Sequence, residues 1–335
     1  MNGFPSLEKL TAGLSKVYSK GFGNGSLSVV KRKPNAFGST FPTEIVKCQV
    51  GNGSGSRPIS FFLKYGAKKF DGVYGHRGGL PYEARVYSEI LDGLGFSTPK
   101  LYGVYNDGSR APWLVMEYMA GGMPASWSKD PEAMVRSAGW IGRFHAANEK
   151  RVRDNELKFL RRYDSDYYKG WARRTKRLFR GVHAKFPWLG PLCDEFVDRI
   201  PRLVEAPQTI IHGEYFGSNI VYQRGVSRPI DWQSTAIAAG EVDLASLTHS
   251  WVSRIVQRCE REYVRARWPD GPPGYFPETL DVARVYMNLR WLGDPALMSP
   301  LVSRGGKPKV KKSVLLAMQA LINLHSVGER LDLIP

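Results

Sequence analysis

Apolar residues recur at Leu7, Leu10, Leu14 and Val17. That three-and-four spacing places one helical face on a core and predicts a short amphipathic helix over 6–20. The period then shortens. Leu27–Arg32 and Glu44–Val50 are rich in β-branched residues, and Ile59–Tyr65 follows the glycine-rich turn 51–55, so three strands are expected. Pro81 suits the first turn of a helix, where a missing N–H costs nothing, and the helix is expected to run to Leu94, before Gly95. Lys100–Tyr105 and Trp113–Tyr118, joined by Asn106-Asp107-Gly108, read as two more strands. Beyond Gly121-Gly122 helical spacing dominates, over Pro131–Asn148, Ser165–Lys185, Trp188–Val204, Val242–Ala266, Pro277–Trp291 and Ser313–Arg330. Short strands are expected around Glu214 and Asp231, and a mobile basic loop over Gly305–Lys312.

The chain has 335 residues, 42% of them hydrophobic, enough for one two-lobed domain or two small ones and too many for global disorder. The N-terminus lacks the unbroken apolar core of a signal peptide, and no stretch approaches a membrane span. Cys48, Cys193 and Cys259 are odd in number and far apart, which argues against a disulfide framework and fits the reducing cytoplasm. The Asn-Gly-Ser triplets at Asn24 and Asn52 read as turns. Net charge is +17 and uneven: 151–185 holds twelve Lys/Arg against four Asp/Glu, a net of +8, and Arg304, Lys307, Lys309, Lys311 and Lys312 form a second cluster. Such an excess bears on partners, not on fold. It fits a solvated basic surface or an anionic substrate, and as sole support for nucleic-acid binding it is thin. There is no Walker sequence, no G-x-S-x-G elbow and no Cys/His zinc spacing.

The chemistry concentrates in Ile210–Leu247. Glu214 stands five residues before Asn219, and Asp231 follows the apolar pair Pro229-Ile230. Phosphoryl transfer from a magnesium nucleotide uses this inventory: one carboxylate to orient or deprotonate the attacking hydroxyl, an amide and a second carboxylate to hold hard cations. The stretch resembles the aminoglycoside phosphotransferase/choline kinase-like family, a branch of the protein-kinase-like fold, whose pattern reads H-G-D-x-x-x-x-N, then I-D-W or I-D-F, then D-L-A. His212, Gly213, Asn219, Asp231, Trp232, Asp243 and Leu244 match it, whereas Glu214 stands where the family has Asp.

The resemblance implies an α+β, two-lobed fold with a small antiparallel-sheet N-lobe and a larger, mostly helical C-lobe. Residues 1–24 would be a helix and linker, 25–119 the N-lobe, and 120–335 the C-lobe, with the catalytic loop in 210–247 and a substrate-binding insert at 150–205. Lys64, at the end of the third strand, would hold nucleotide phosphates and be anchored by Glu83, with Glu89 as the substitute partner; alone, Lys64 reads as an ordinary strand-end lysine. Gly38, Ser39 and Thr40 would form the phosphate-covering loop, and the backbone of Glu117 and Met119 would face adenine. Asn219 and Asp231 would bind Mg2+, Glu214 would orient the acceptor, and His212 and Asp243 would brace the loop. The expected function is transfer of the γ-phosphate of ATP to a hydroxyl of a sugar-like or other neutral or anionic small molecule. The alternative is a nucleotide-binding pseudokinase, because the extra methylene of Glu214 displaces its carboxylate and about 1 Å of misplacement can cost about a hundredfold in rate. Aminoglycosides, being polycations, fit the basic 151–185 segment poorly, and choline would need an aromatic cage that sequence does not reveal. Tyr163, Tyr167, Tyr168 and Trp171 are read as helix core in preference to a sugar-stacking face.

Overall fold

The computed structural model describes residues 4–22, 25–36, 39–51, 55–66, 72–106, 108, 112–153, 155–295 and 312–334. The chain divides into two compact units, Met1–Met123 with Val221–Ser234, and Pro124–Ile220 with Thr235–Pro335.

The first unit is built on a five-stranded antiparallel sheet in the order β1-β2-β3-β5-β4, from β1 (Ser26–Pro34), β2 (Thr43–Gly51), β3 (Ser56–Tyr65), β4 (Leu101–Tyr105) and β5 (Trp113–Glu117). Helix α1 (Leu7–Phe22) lays Leu10, Leu14, Val17 and Tyr18 on one face of the sheet, against Val46, Phe61, Leu63, Tyr65 and Trp113. Leu7, expected in that stripe, is instead exposed. Where α1 crosses β4, Gly103 is required: its φ is 155°, and a β-carbon there would lie 3.0 Å from Val17. Helix α2 (Gly79–Arg85) continues into a wider π-type turn, Val86–Leu91. It starts two residues earlier and stops three residues sooner than the spacing predicts, because Asp92 is extended and Gly93 is left-handed. A hairpin of Ile220–Gln223 and Val226–Pro229 turns through Arg224 and Gly225, both at positive φ, the twist a two-residue turn needs.

The second unit is mostly helical: α3 (Ala133–Asn148), α4 (Ser165–Phe179), α5 (Leu189–Arg199), α6 (Pro201–Val204), α7 (Glu241–Thr248), α8 (Ser253–Arg267), α9 (Phe276–Leu292) and α10 (Lys312–Arg330). A small sheet places Ala236–Ala239 between Arg161–Arg162 and Gln208–Ile211. The single helix expected over Val242–Ala266 is two helices, since Ser250 sits at φ 65°, which no right-handed helix passes. Tyr163, Tyr168, Trp171 and Tyr286 are buried together, with Tyr163 stacked on Tyr167 at 3.9 Å, so this aromatic group is core. The basic loop over 305–311 lies outside the described residues, and Lys312 already belongs to α10. Among the described residues no helix is long and apolar enough to cross a membrane.

Candidate active site

In the first unit the site starts from strand alternation. Phe61, Leu63 and Tyr65 of β3 face the α1 core, so Lys64 points to the opposite face. There its ammonium donates to both Glu83 oxygens, at 2.8 and 3.0 Å, and to Asp231 Oδ1 at 2.9 Å. Burial works against the ammonium, yet the Asp231 and Glu83 carboxylates outweigh it, and the Lys64 pKa is raised. Glu83 is wholly buried in α2, and burial pushes its carboxyl up, opposed by Lys64 and reinforced by the Asp231 charge. One ammonium facing two carboxylates keeps its proton. Glu89, the substitute partner, is engaged elsewhere, by Arg85 at 2.7 Å.

Asp231 follows the hairpin at φ 68°, an uncommon conformation for a non-glycine residue that turns the chain sharply after Ile230. The turn is fixed from both sides. Gln233 donates to Asp231 Oδ1 at 2.8 Å, and the Gln233 carbonyl accepts from Gly78 N, at the start of α2, at 2.7 Å. Lys64 and Gln233 both use Oδ1, and a partly exposed carboxylate with hard oxygens suits a divalent cation.

In the second unit, strand Gln208–Ile211 delivers the loop His212–Asn219. Asp243, fully buried at the start of α7, accepts from the backbone N–H of His212 at 2.6 Å and of Gly213 at 2.9 Å. His145 of α3 reaches the same carboxylate through Nε2 at 3.2 Å, and its Nδ1 lies 3.0 Å from the Tyr263 hydroxyl. Burial lowers the His145 pKa despite Asp243, so the ring is neutral at pH 7. Glu214 is buried; its backbone N–H donates to His212 Nδ1 at 3.3 Å and its Oε1 accepts from Arg290 at 3.3 Å. The Asn219 amide nitrogen donates to the Glu214 carbonyl at 2.9 Å, which directs its side-chain oxygen away from that carbonyl and makes it the atom a metal would take.

Ser39 and Thr40 are exposed; the Ser39 hydroxyl accepts from Phe41 N at 3.3 Å, and Gly38 lies outside the described residues. Glu117 N donates to the Lys100 carbonyl at 2.8 Å, and the Met119 carbonyl accepts from Gly122 N at 3.1 Å. All three cysteines are buried free thiols whose pKa values burial pushes up to about 12. In the basic segment, Arg174 lies over Trp171 at 4.8 Å and Lys176 pairs with Asp194 at 2.7 Å.

Sequence reasoning did not single out Gln233, His145 or Arg290. Gln233 had a usable signal, since it directly follows Asp231-Trp232. Arg290 stands on a helix remote in sequence from the loop it touches, His145 meets that loop only through Asp243, and no local pattern points to either.

The phosphotransferase enzyme family pattern matches residues 67–276. The chain belongs to this family and is an enzyme that transfers phosphoryl groups to hydroxyls of small molecules. Its fold is that of solved kinases. Choline kinase LicA from Streptococcus pneumoniae is 13% identical with a TM-score of 0.60, over 96% of this chain and 100% of that one. A macrolide 2'-phosphotransferase from Brachybacterium faecium is 13% identical with a TM-score of 0.56, over 92% and 97%. A putative fructosamine-3-kinase from Haemophilus somnus 129PT is 12% identical with a TM-score of 0.55, over 93% and 97%. At such identities the likeness establishes the protein-kinase-like fold and nothing finer. No curated protein sequence matches the chain.

Proposed function

We propose that this chain moves the γ-phosphate of ATP to a hydroxyl of a neutral or anionic, sugar-like small molecule in the cytoplasm. The observation that carries this reading is the buried Lys64 ammonium held between Glu83 and Asp231 at 2.8 and 2.9 Å. Lys64 holds the α- and β-phosphates, with Glu83 fixing its position. Gly38, Ser39 and Thr40 cover the phosphates, while Glu117 and Met119 face adenine through their backbone. Asn219 and Asp231 are the ligands for Mg2+, which supplies neutralisation of phosphate charge when bound. Glu214 orients the acceptor hydroxyl, and Asp243 with His212 holds the loop that presents it. Support for the nucleotide comes from relatives of the same fold: LicA is solved with AMP, and amicoumacin kinase hAmiN with AMP-PNP and Ca2+. The three buried thiols suit a reducing compartment. The net charge of +17 favours an anionic acceptor over a polycation.

Glutamate at 214 also allows a second reading, a pseudokinase-like regulatory module that binds nucleotide and catalyses the transfer only weakly. One experiment separates the two. Calorimetry should detect magnesium-ATP binding that is lost in Asp231→Ala, and ADP release should rise with one member of a panel of sugars, sugar phosphates, amino alcohols and aminoglycosides. Binding without turnover on any acceptor would favour the pseudokinase; no binding at millimolar nucleotide would remove both readings.

A further inference from the structure

The side chains of Glu214 and Arg290 are only 4% and 8% exposed. A buried carboxylate without a partner carries a large desolvation cost, and a glutamate fixed in one rotamer gives up side-chain entropy. Arg290 answers both, since it fixes Oε1 and supplies the opposite charge. The guanidinium is itself held. It lies 5.8 Å from the Phe216 ring and 5.7 Å from the Trp291 ring, and those two rings meet edge to face at 5.5 Å. Phe216 is two residues beyond Glu214, and its backbone N–H donates to the Glu214 carbonyl at 2.8 Å. The loop carrying the carboxylate therefore also carries one wall of the cage around its partner. Among the described residues Glu214 is the one carboxylate this guanidinium pairs with, and Arg290 Nε is buried with no acceptor there.

We propose that Arg290 is the positioning residue that makes glutamate, rather than aspartate, the working carboxylate at 214. This rests on reading Glu214 as the acceptor-orienting group. The extra methylene spans about one C–C bond, roughly 1.5 Å. At 3.3 Å the contact is already near the limit of a hydrogen bond, so an aspartate on the same backbone falls out of reach of Arg290. The guanidinium holds Oε1 and so sets the direction of the carboxylate. The departure from the family's aspartate and the arginine on α9 then form one adaptation made of two residues.

The test is a double-mutant cycle on ADP release from magnesium-ATP, using the best acceptor in the panel, or water where none is used. Arg290→Gln should lower kcat by about a hundredfold, the scale of a 1 Å misplacement, and leave the calorimetric affinity for magnesium-ATP unchanged. Arg290→Lys, which keeps the buried charge but not the planar fork, should restore part of the rate. Glu214→Asp should cost a similar factor in the native background and nothing further beside Arg290→Gln. Equal costs of Glu214→Asp in both backgrounds, a gain of activity in Glu214→Asp, or a native kcat in a folded Arg290 variant would overturn the proposal and leave the phosphotransferase reading standing. If Arg290→Gln does not fold, the cycle is run with Arg290→Lys. A native chain that binds magnesium-ATP and releases no ADP would remove the phosphotransferase reading, and this proposal with it.

Discussion

At the scale of single residues, the site depends on which charge is left without a partner. Lys64 is buried, and its two carboxylates are not equivalent. Glu83 is sealed inside α2, whereas the Asp231 side chain is 23% exposed and would have to turn toward a cation. Glu83 is therefore the permanent anchor and Asp231 the exchangeable one. Glu83→Gln keeps the shape and removes the charge. The ammonium then depends on Asp231 alone, and on the proposed metal role of Asp231 it would compete with magnesium for it. We expect magnesium-ATP affinity to fall, and urea unfolding to show a loss of about 1–3 kcal/mol, less than for a fully orphaned buried charge because Asp231 remains. An unchanged affinity would mean that Lys64 does not depend on Glu83 for its position. His212 and Asp243 act at the same scale but on backbone amides, so changes there should disturb Glu214 and the Asn219 tied to its carbonyl.

At the scale of elements, the periodic segments were legible because their burial is local. β1 to β5, α1 and α9 lie within a few residues of their expected bounds, since apolar alternation and helical spacing report a buried face directly. The break between α7 and α8 was not legible, because Ser250 adopts a left-handed conformation that nothing in its neighbours requires. Helix–helix contact was also hidden. Gly142 of α3 lies so close to α8 that a β-carbon would sit 2.8 Å from the Tyr263 carbonyl oxygen and 3.0 Å from Ala266 Cβ. Backbone cannot step aside, so Gly142→Ala should destabilise by about 1–3 kcal/mol despite alanine's better helix propensity. For Gly139, one turn earlier, the nearest atoms a β-carbon would meet belong to the Glu262 side chain, at 2.5 Å for its carboxylate oxygen. That flexible end can swing away, and Gly139→Ala should be neutral or slightly stabilising. Thermal melts of the two variants check the contrast, and equal shifts would mean that α3 and α8 are less tightly set than these contacts imply.

Across the whole molecule, what was legible was written locally: Lys64 and Glu83 in the order of strand and helix, and most of the second half of the site in one stretch. Glu214, Asn219, Asp231 and Asp243 stand close together in sequence, whereas Arg290 reaches Glu214 from α9, His145 reaches Asp243 from α3, and both can be found only in three dimensions. That long-range assembly has a pH signature. His145 is fully buried against Asp243, Tyr263 and Arg267, with Glu149 adding to its field; burial holds its pKa below the ordinary 6.5, only partly opposed by Asp243. His249 is lowered for the same reason. A histidine whose folded pKa is depressed takes its proton first in the unfolded chain. Its contribution is complete above pH 6.5 and is lost as pH falls below it. Glu83 and Glu241, whose carboxyls burial pushes up, act in the opposite direction in the acid range. The total slope therefore mixes two signs, and a comparison isolates the histidine. His145→Gln keeps a donor for Asp243 and cannot titrate. Melting temperatures from pH 7.5 to 5.0 should fall more steeply for the native chain than for His145→Gln, with the curves diverging below 6.5. Since Asp243 also holds the His212 and Gly213 amides, hydrogen exchange at those two amides should quicken over the same interval in the native chain only. Parallel melting curves would show that the His145 brace carries no protonation cost.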